Sequence, residues 1–542
     1  MKKIRTLILI TLATLPAGMA AQTQPQDTTL NRTVVVEQEY NPNIRDADKI
    51  NAVPPVEPPV VKPKAVEYDN RLQPLEGDIP AEHMQPYAGQ TQPSKATPGY
   101  LSVGYGNYGN LDIRANYLFS LSPKDRLNLT FHMDGMDGTL DLPGSMIEWD
   151  AYYYRTHAAI DYRHAFRRID MDIAGHFDLS NFNFLPEAAD RKQKFTAGDF
   201  HLGLASTTDE LPLQFQAETN LMIYERQHEP GLANAQEVMA RTRAHVTGSI
   251  TDEQTIGVKA HMDNVFYHNN AFRDYTSISL NPYFHFQNEA WRLHLGVHAD
   301  LALGFGQRLR VSPDVCAAYH FARSAVYLQA KGDRHTNDFR RLERFTPYGQ
   351  TTAQPDATYE QLNAAIGLKT GTLGGLHLHL YGGYQNLKDD LYAAFPSDSD
   401  YTLLLGTWDT DNLYAGAEIS YDYRDLIAFT AQGTYRKWSA AKQGEDLYVL
   451  SFKPVVEADA RIDIHPISPL RVHIGYQAIT RDDYNGLTVD PVSNLYLGGS
   501  YEFQKWLSVH LRANNLLGKA YQYYPGYPAE GFNFIAGASI RF

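Results

Sequence analysis

At 542 residues, with 36 Tyr, 24 Phe and a formal charge of −14, the chain is long enough for several soluble domains, yet one pattern runs through most of it. The acidic balance argues against nucleic acid as a partner, and the single cysteine, Cys316, excludes an internal disulfide, leaving hydrogen bonding and packing to hold the fold. Beyond the N-terminus no apolar run reaches the roughly 18 residues of a membrane helix, which excludes a helical membrane protein.

Residues 1–21 read as a signal peptide: Lys2, Lys3 and Arg5, then the apolar "TLILITLATL", then Gly18 and Ala20 at the spacing a signal peptidase accepts. Removing the three basic residues takes the formal charge from −14 to about −17. Residues 22–98 are Pro-rich, as in "NAVPPVEPPVVKPKAVEYDN", and follow neither a helical nor a strand period. Such a segment buries too little apolar area to fold alone, so a disordered, extended periplasmic segment is expected. Within it, "NRTVVVEQEYNP" sets Thr33, Val34, Val35 and Val36 in a short β-branched run that favours an extended backbone.

From residue 99 to 542 the chain alternates. In "NLDIRANYLF", Leu111, Ile113, Ala115, Tyr117 and Phe119 share one face, opposite Asp112, Arg114 and Asn116. "RLNLTFHM", "YYYRTHAAIDYR", "WRLHLGVHADL", "LHLHLYGGY" and "LRVHIGYQA" repeat the pattern, and a period of two means strands. A soluble antiparallel sheet, a propeller or a β-helix would also alternate. Two features favour a membrane barrel. Many strands exceed the usual five or six residues, and short connections ("SPKD", "QNEA", "FQKW") take turns with long ones ("NFNFLPEAADRKQK", "RHTNDFRRLERFTPYGQTTAQPDA").

The count is about 22, with 400–423 taken as one long strand. The fold expected is therefore all-β: a transmembrane antiparallel β-barrel of about 22 strands in the outer membrane. The mean hydropathy of −0.41 agrees with this, because only alternate strand residues meet lipid. The closing stretch "GFNFIAGASIRF" places Phe532, Phe534, Ala536, Ala538, Ile540 and Phe542 on one parity. It is expected to pair with the first strand, since an open edge in lipid leaves backbone groups unsatisfied. Phe542 at its end is similar to the signal read by the barrel assembly machinery.

At "LRANNLLGKAYQYYPGYPAEGFNFIAGASIRF" the chain resembles the end of a TonB-dependent receptor, through Asn515, Leu516, Leu517, Lys519 and Tyr521, a Tyr- and Pro-rich last loop, and the closing strand. The resemblance extends over residues 99–542. It implies an outer-membrane barrel that transports or gates a solute or polypeptide, with TonB or another periplasmic protein as partner. Members of that family carry a globular plug before the barrel. Only the Pro-rich stretch occupies that place here, so the resemblance is to a plug-less variant. Thr33, Val34, Val35 and Val36 then fall where the family carries its TonB box, a segment bound by strand addition.

A barrel of this size has a lumen that must be filled or will leak. The long loops 336–356 and 519–530 are the candidate fillers, beside the N-terminal segment or a separate protein. By parity His132, His157, His176, His261, His294, His298, His320, His377, His379, His473 and His510 point inward. None forms a recognised ligand signature, so hydrated lumen lining is the reading, with no metal and no cofactor. No G-x-S-x-G, H-E-x-x-H or phosphate loop is present, so no catalytic residue is assigned and an enzyme is not expected. A passive porin-like channel and an occluded barrel that tethers periplasmic partners stand as the alternatives.

Overall fold

A computed structural model describes residues 97–542 except 143–147, 186–191, 208–212, 230–231, 269–271, 352, 372–373, 396–402, 441–448, 484–488 and 525. Thr33, Val34, Val35 and Val36 lie outside the described residues.

Twenty-two antiparallel strands, from Gly99–Gly106 to Asn533–Arg541, close into one barrel. The seam runs in register from Tyr100 opposite Arg541 to Gly106 opposite Ile535. Its end is fastened twice: Gly99 N–H donates to the Phe542 carbonyl at 2.8 Å, and Phe542 N–H to the Gly99 carbonyl at 3.0 Å. Every edge is thereby paired, as a sheet in hydrocarbon requires. Leu404–Tyr423 is one strand of 20 residues, as the sequence suggests for that region.

The alternation sorts side chains between lipid and lumen. Val103, Phe131, Ile160, Phe177, Ile223, Val258, Leu295, Ile366 and Leu413 stand exposed on the outer face. Spread over the whole wall, that apolar surface far exceeds what a protein shows to water and makes a lipid-facing belt. Beside the short turns it gives way to aromatic residues, among them Phe166, Trp291, Phe321, Tyr423, Phe503, Trp506 and Phe542. Rings with this placement mark the membrane–water boundary.

The inner face is polar over most of its height but not at the end that carries the long loops. There Trp149, Phe182, Phe195, Met222, Tyr224, Met239, Val265, Tyr267, Leu391 and Leu405 form a buried apolar cluster inside the barrel. Inward-facing apolar residues on strands need a partner to cover them, and long loops turned into the lumen supply it.

Candidate functional site: a loop lid in the mouth of the barrel

The loop 336–351 leaves strand Ser324–His335 and folds into the lumen, where it forms the only α-helix among the described residues, Phe339–Phe345. Asp338 caps it, its Oδ1 accepting from Arg341 N–H at 2.8 Å. Phe339 and Leu342 sit three apart, hence on one face, and are 1% and 0% exposed. Phe339 packs on Tyr224, Tyr267 and Phe272, with ring centroids 5.9, 5.7 and 6.2 Å away.

Three charged residues of the helix and its cap, Arg340, Glu343 and Asp338, meet the wall. Arg340 lies 3.1 Å from Asp199 and 3.6 Å from Asp178. Glu343 accepts from Ser180 Oγ at 2.7 Å and from the Tyr224 hydroxyl. Asp338 also lies 3.4 Å from Arg241, which holds Asp263 at 2.8 Å. The Phe339 N–H, one of the orphan donors of a helix start, donates to the buried Glu237 carboxylate at 3.2 Å. Arg341, by contrast, has its guanidinium pulled below the usual arginine range by burial.

After the helix the loop crosses the lumen. Arg226, on strand Gln214–Glu229, donates to the Gly349 carbonyl at 2.9 Å. Gln350 N–H then reaches the Leu403 carbonyl at 2.9 Å, and Gln350–Thr351 pairs in parallel with Leu404 and Leu405 on the far wall. A side chain at Gly349 would collide with Leu405, which is why the chain can pass so close there. One loop thus ties together walls that lie almost across the ring from each other.

A second loop meets it. Asn515 takes a left-handed backbone, φ 48°, and pins loop 515–530 from within: its side chain donates to the Lys519 and Glu530 carbonyls and accepts from Lys519 N–H. Arg481 holds the middle by donating to the Gln522 and Tyr523 carbonyls at 3.2 and 3.1 Å. Tyr527 is thereby delivered onto Tyr348 of the first loop, with Trp149 edge-on at 5.6 Å. Beneath the paired loops lies a cavity of about 600 Å³ that mixes tyrosines with Arg114, Arg155, Asp112 and Asp134.

Both loops named from sequence as lumen fillers, 336–356 and 519–530, therefore meet in the mouth. Asp338, Arg340, Glu237 and Arg241 were not singled out by sequence reasoning. A signal existed: "DFRRLERF" spaces Phe339, Leu342 and Phe345 by three after an Asp, a capped helical period inside a period-two chain. Of the histidines, His157 lies 2.6 Å from Asp178, His176 2.5 Å from Asp199, His261 2.9 Å from Asp263 and His294 2.9 Å from Asp314. Among the described residues no group of three or more His, Cys, Asp or Glu is poised to hold a metal.

No protein-family model and no curated protein matches the sequence. Solved structures do match. The copper transporter OprC superposes with a TM-score of 0.63 at 13% identity, over 83% of this chain and 82% of its own. The siderophore receptor PirA from Acinetobacter baumannii gives 0.65 at 11%, over 83% and 81%. The FrpB iron transporter from Neisseria meningitidis gives 0.66 at 9%, over 83% and 81%. Identities this low speak to fold. The chain has the closed 22-strand barrel fold of these outer-membrane transporters and receptors.

Proposed function

We propose that the protein is an outer-membrane transporter or receptor in which a lid gates the passage of a solute or polypeptide, and in which residues 22–98 act as a periplasmic coupling arm. The observation that carries the reading is the loop 336–351, which crosses the lumen and is fastened to opposite walls. A passive pore needs an open path, and a lid so held blocks one. A gate needs contacts that hold it shut and can be exchanged, and the ion pairs of Arg340 and Asp338 in a hydrated lumen are of that kind. In this reading Thr33, Val34, Val35 and Val36 offer TonB, or another periplasmic protein, an extended segment for strand addition. The barrel assembly machinery inserts the chain by way of the strand that ends in Phe542.

Planar-bilayer conductance tests it. The purified full-length protein is expected to be silent, and the same protein with 337–348 replaced by a Gly-Ser linker to show steady large conductance. Deleting 22–98 is expected to stop uptake by cells. Steady conductance from the unaltered protein would make it a porin-like channel, and silence with the lid removed would favour the occluded scaffold.

A further inference from the structure

On the lumen wall across the closing seam, toward the short-turn end, a second cavity of about 460 Å³ adjoins the one beneath the loops and shares Asp112, Arg114 and Arg512 with it. We infer that it is a binding station for anions that carry several phosphate or carboxylate groups.

Its construction is that of a basic cup. The floor is made of residues with little or no side chain, Ser102, Gly499, Ser508 and Ser539, and the Ser508 and Ser539 hydroxyls bond each other at 2.9 Å. Around this floor stand Arg114, Arg461, Arg471, Arg512 and Arg541, brought from five different strands. Only two carboxylates face them. Asp112 is shared by Arg114, at 2.9 Å, and Arg512, while Asp463 is held by Arg461 at 2.5 Å. Arg471 forms no ion pair among the described residues, and the partner of Arg541, Glu502, is 3.6 Å away outside the cup.

His473 and His510 also line this cup, and neither forms an ion pair with a carboxylate among the described residues. In a chain whose formal charge is −14, a positive excess gathered on one patch concentrates field where a low-dielectric wall backs it. Guanidinium groups present paired donors that match the oxygens of phosphate and carboxylate, and rings of Arg are how pores favour such solutes. A single charge would satisfy one arginine; several on one molecule are needed to satisfy the rim. That the bound anion is a solute in passage rests on the transport reading above, whereas the binding does not.

Isothermal titration calorimetry of the full-length protein in detergent, with inorganic tripolyphosphate as the probe, is the test. Saturable binding that weakens with added salt is expected. The R471Q/R541Q pair should weaken it by at least about tenfold, and R471K/R541K should stay within about threefold of the unaltered protein. K369Q, in a different lumen cavity, should change nothing. Heat-modifiable gel migration confirms that each variant is a folded barrel, and the Lys pair answers the question if the Gln pair fails to fold. Absence of saturable binding, or equal binding by R471Q/R541Q, overturns the site. Binding by a protein whose lid-free form is silent in bilayers would retain the site and sink the transport reading instead.

Discussion

Tyr348 and Tyr527 lie face to face, ring centroids 3.6 Å apart and planes within 8°, each delivered by a different loop into the mouth of the barrel. Phe182 and Tyr524 close on Tyr348 edge-on at 5.2 and 5.7 Å. The stack joins the two loops. Tyr348→Ala removes one plate and leaves a void, which for a large buried aromatic costs about 3 kcal/mol or more. That loss falls on lid docking and spares the strand ladder. Limited proteolysis should cut between 336 and 356 much faster in Y348A, with unchanged heat-modifiable migration of the barrel, while Y348F stays near the unaltered protein. Equal cutting in all three would show that the stack does not hold the lid.

Arg340 ties the lid to the wall through Asp178 and Asp199. Its two partners are already engaged: Asp178 with His157 and Asp199 with His176, whose other ring nitrogen is 3.5 Å from Asp161. Met222 lies against it from strand Gln214–Glu229, and Glu343 belongs to its own helix. Removing the guanidinium therefore costs the lid two charged contacts, while each carboxylate keeps its histidine. Limited proteolysis between 336 and 356 should be faster in R340M than in the unaltered protein, with R340K between the two. Equal cutting in R340M would refute this.

Asp338→Ala removes the helix cap, worth about 1 kcal/mol, and leaves Arg241 with Asp263 as its remaining acidic partner. The expected result is partial loosening, smaller than in Y348A. Hydrogen exchange of the Arg341 amide, which donates to the cap, should rise by about fivefold. No change there would mean that wall contacts alone set the helix.

Glu530 makes the second loop sensitive to pH. Burial raises its carboxyl above the usual range, against the bond from Asn110 at 2.6 Å that lowers it. The folded loop therefore binds this proton more tightly than the unfolded chain, and its stability falls as pH rises from the ordinary carboxylate value through the raised one. Glu530→Gln keeps an acceptor for Asn110 and removes the buried charge. Protection of loop 515–530 should increase at neutral pH and lose that part of its pH dependence. A less protected loop in E530Q would show that the charge itself is needed.

The barrel was legible because one physical rule covers all of it: lipid outside and water inside impose a period of two, which Leu111, Ile113 and Ala115 display as plainly as Phe534, Ala536 and Ala538. Inward histidines followed from the same parity. The lid was half legible. Its loop was marked by length and by aromatic and Arg content, but its partners come from strands far away in sequence, such as Glu237 for Phe339 and Leu403 for Gln350. Nothing local in "AQEVMARTR" says that Glu237 will sit under a helix start. The basic cup was hidden for the same reason: its five arginines are scattered from Arg114 to Arg541 and become neighbours only when the seam closes.

The lid begins and ends on neighbouring wall strands, Ser324–His335 and Thr358–Thr370, which pair directly with each other. Among the described residues, its backbone joins the wall ladder only through the two-residue pairing at Gln350–Thr351. The insert is thus a cassette. It can be exchanged for another of different length or chemistry while the surrounding cylinder folds by the same register, so one scaffold can be refitted through a single stretch of chain.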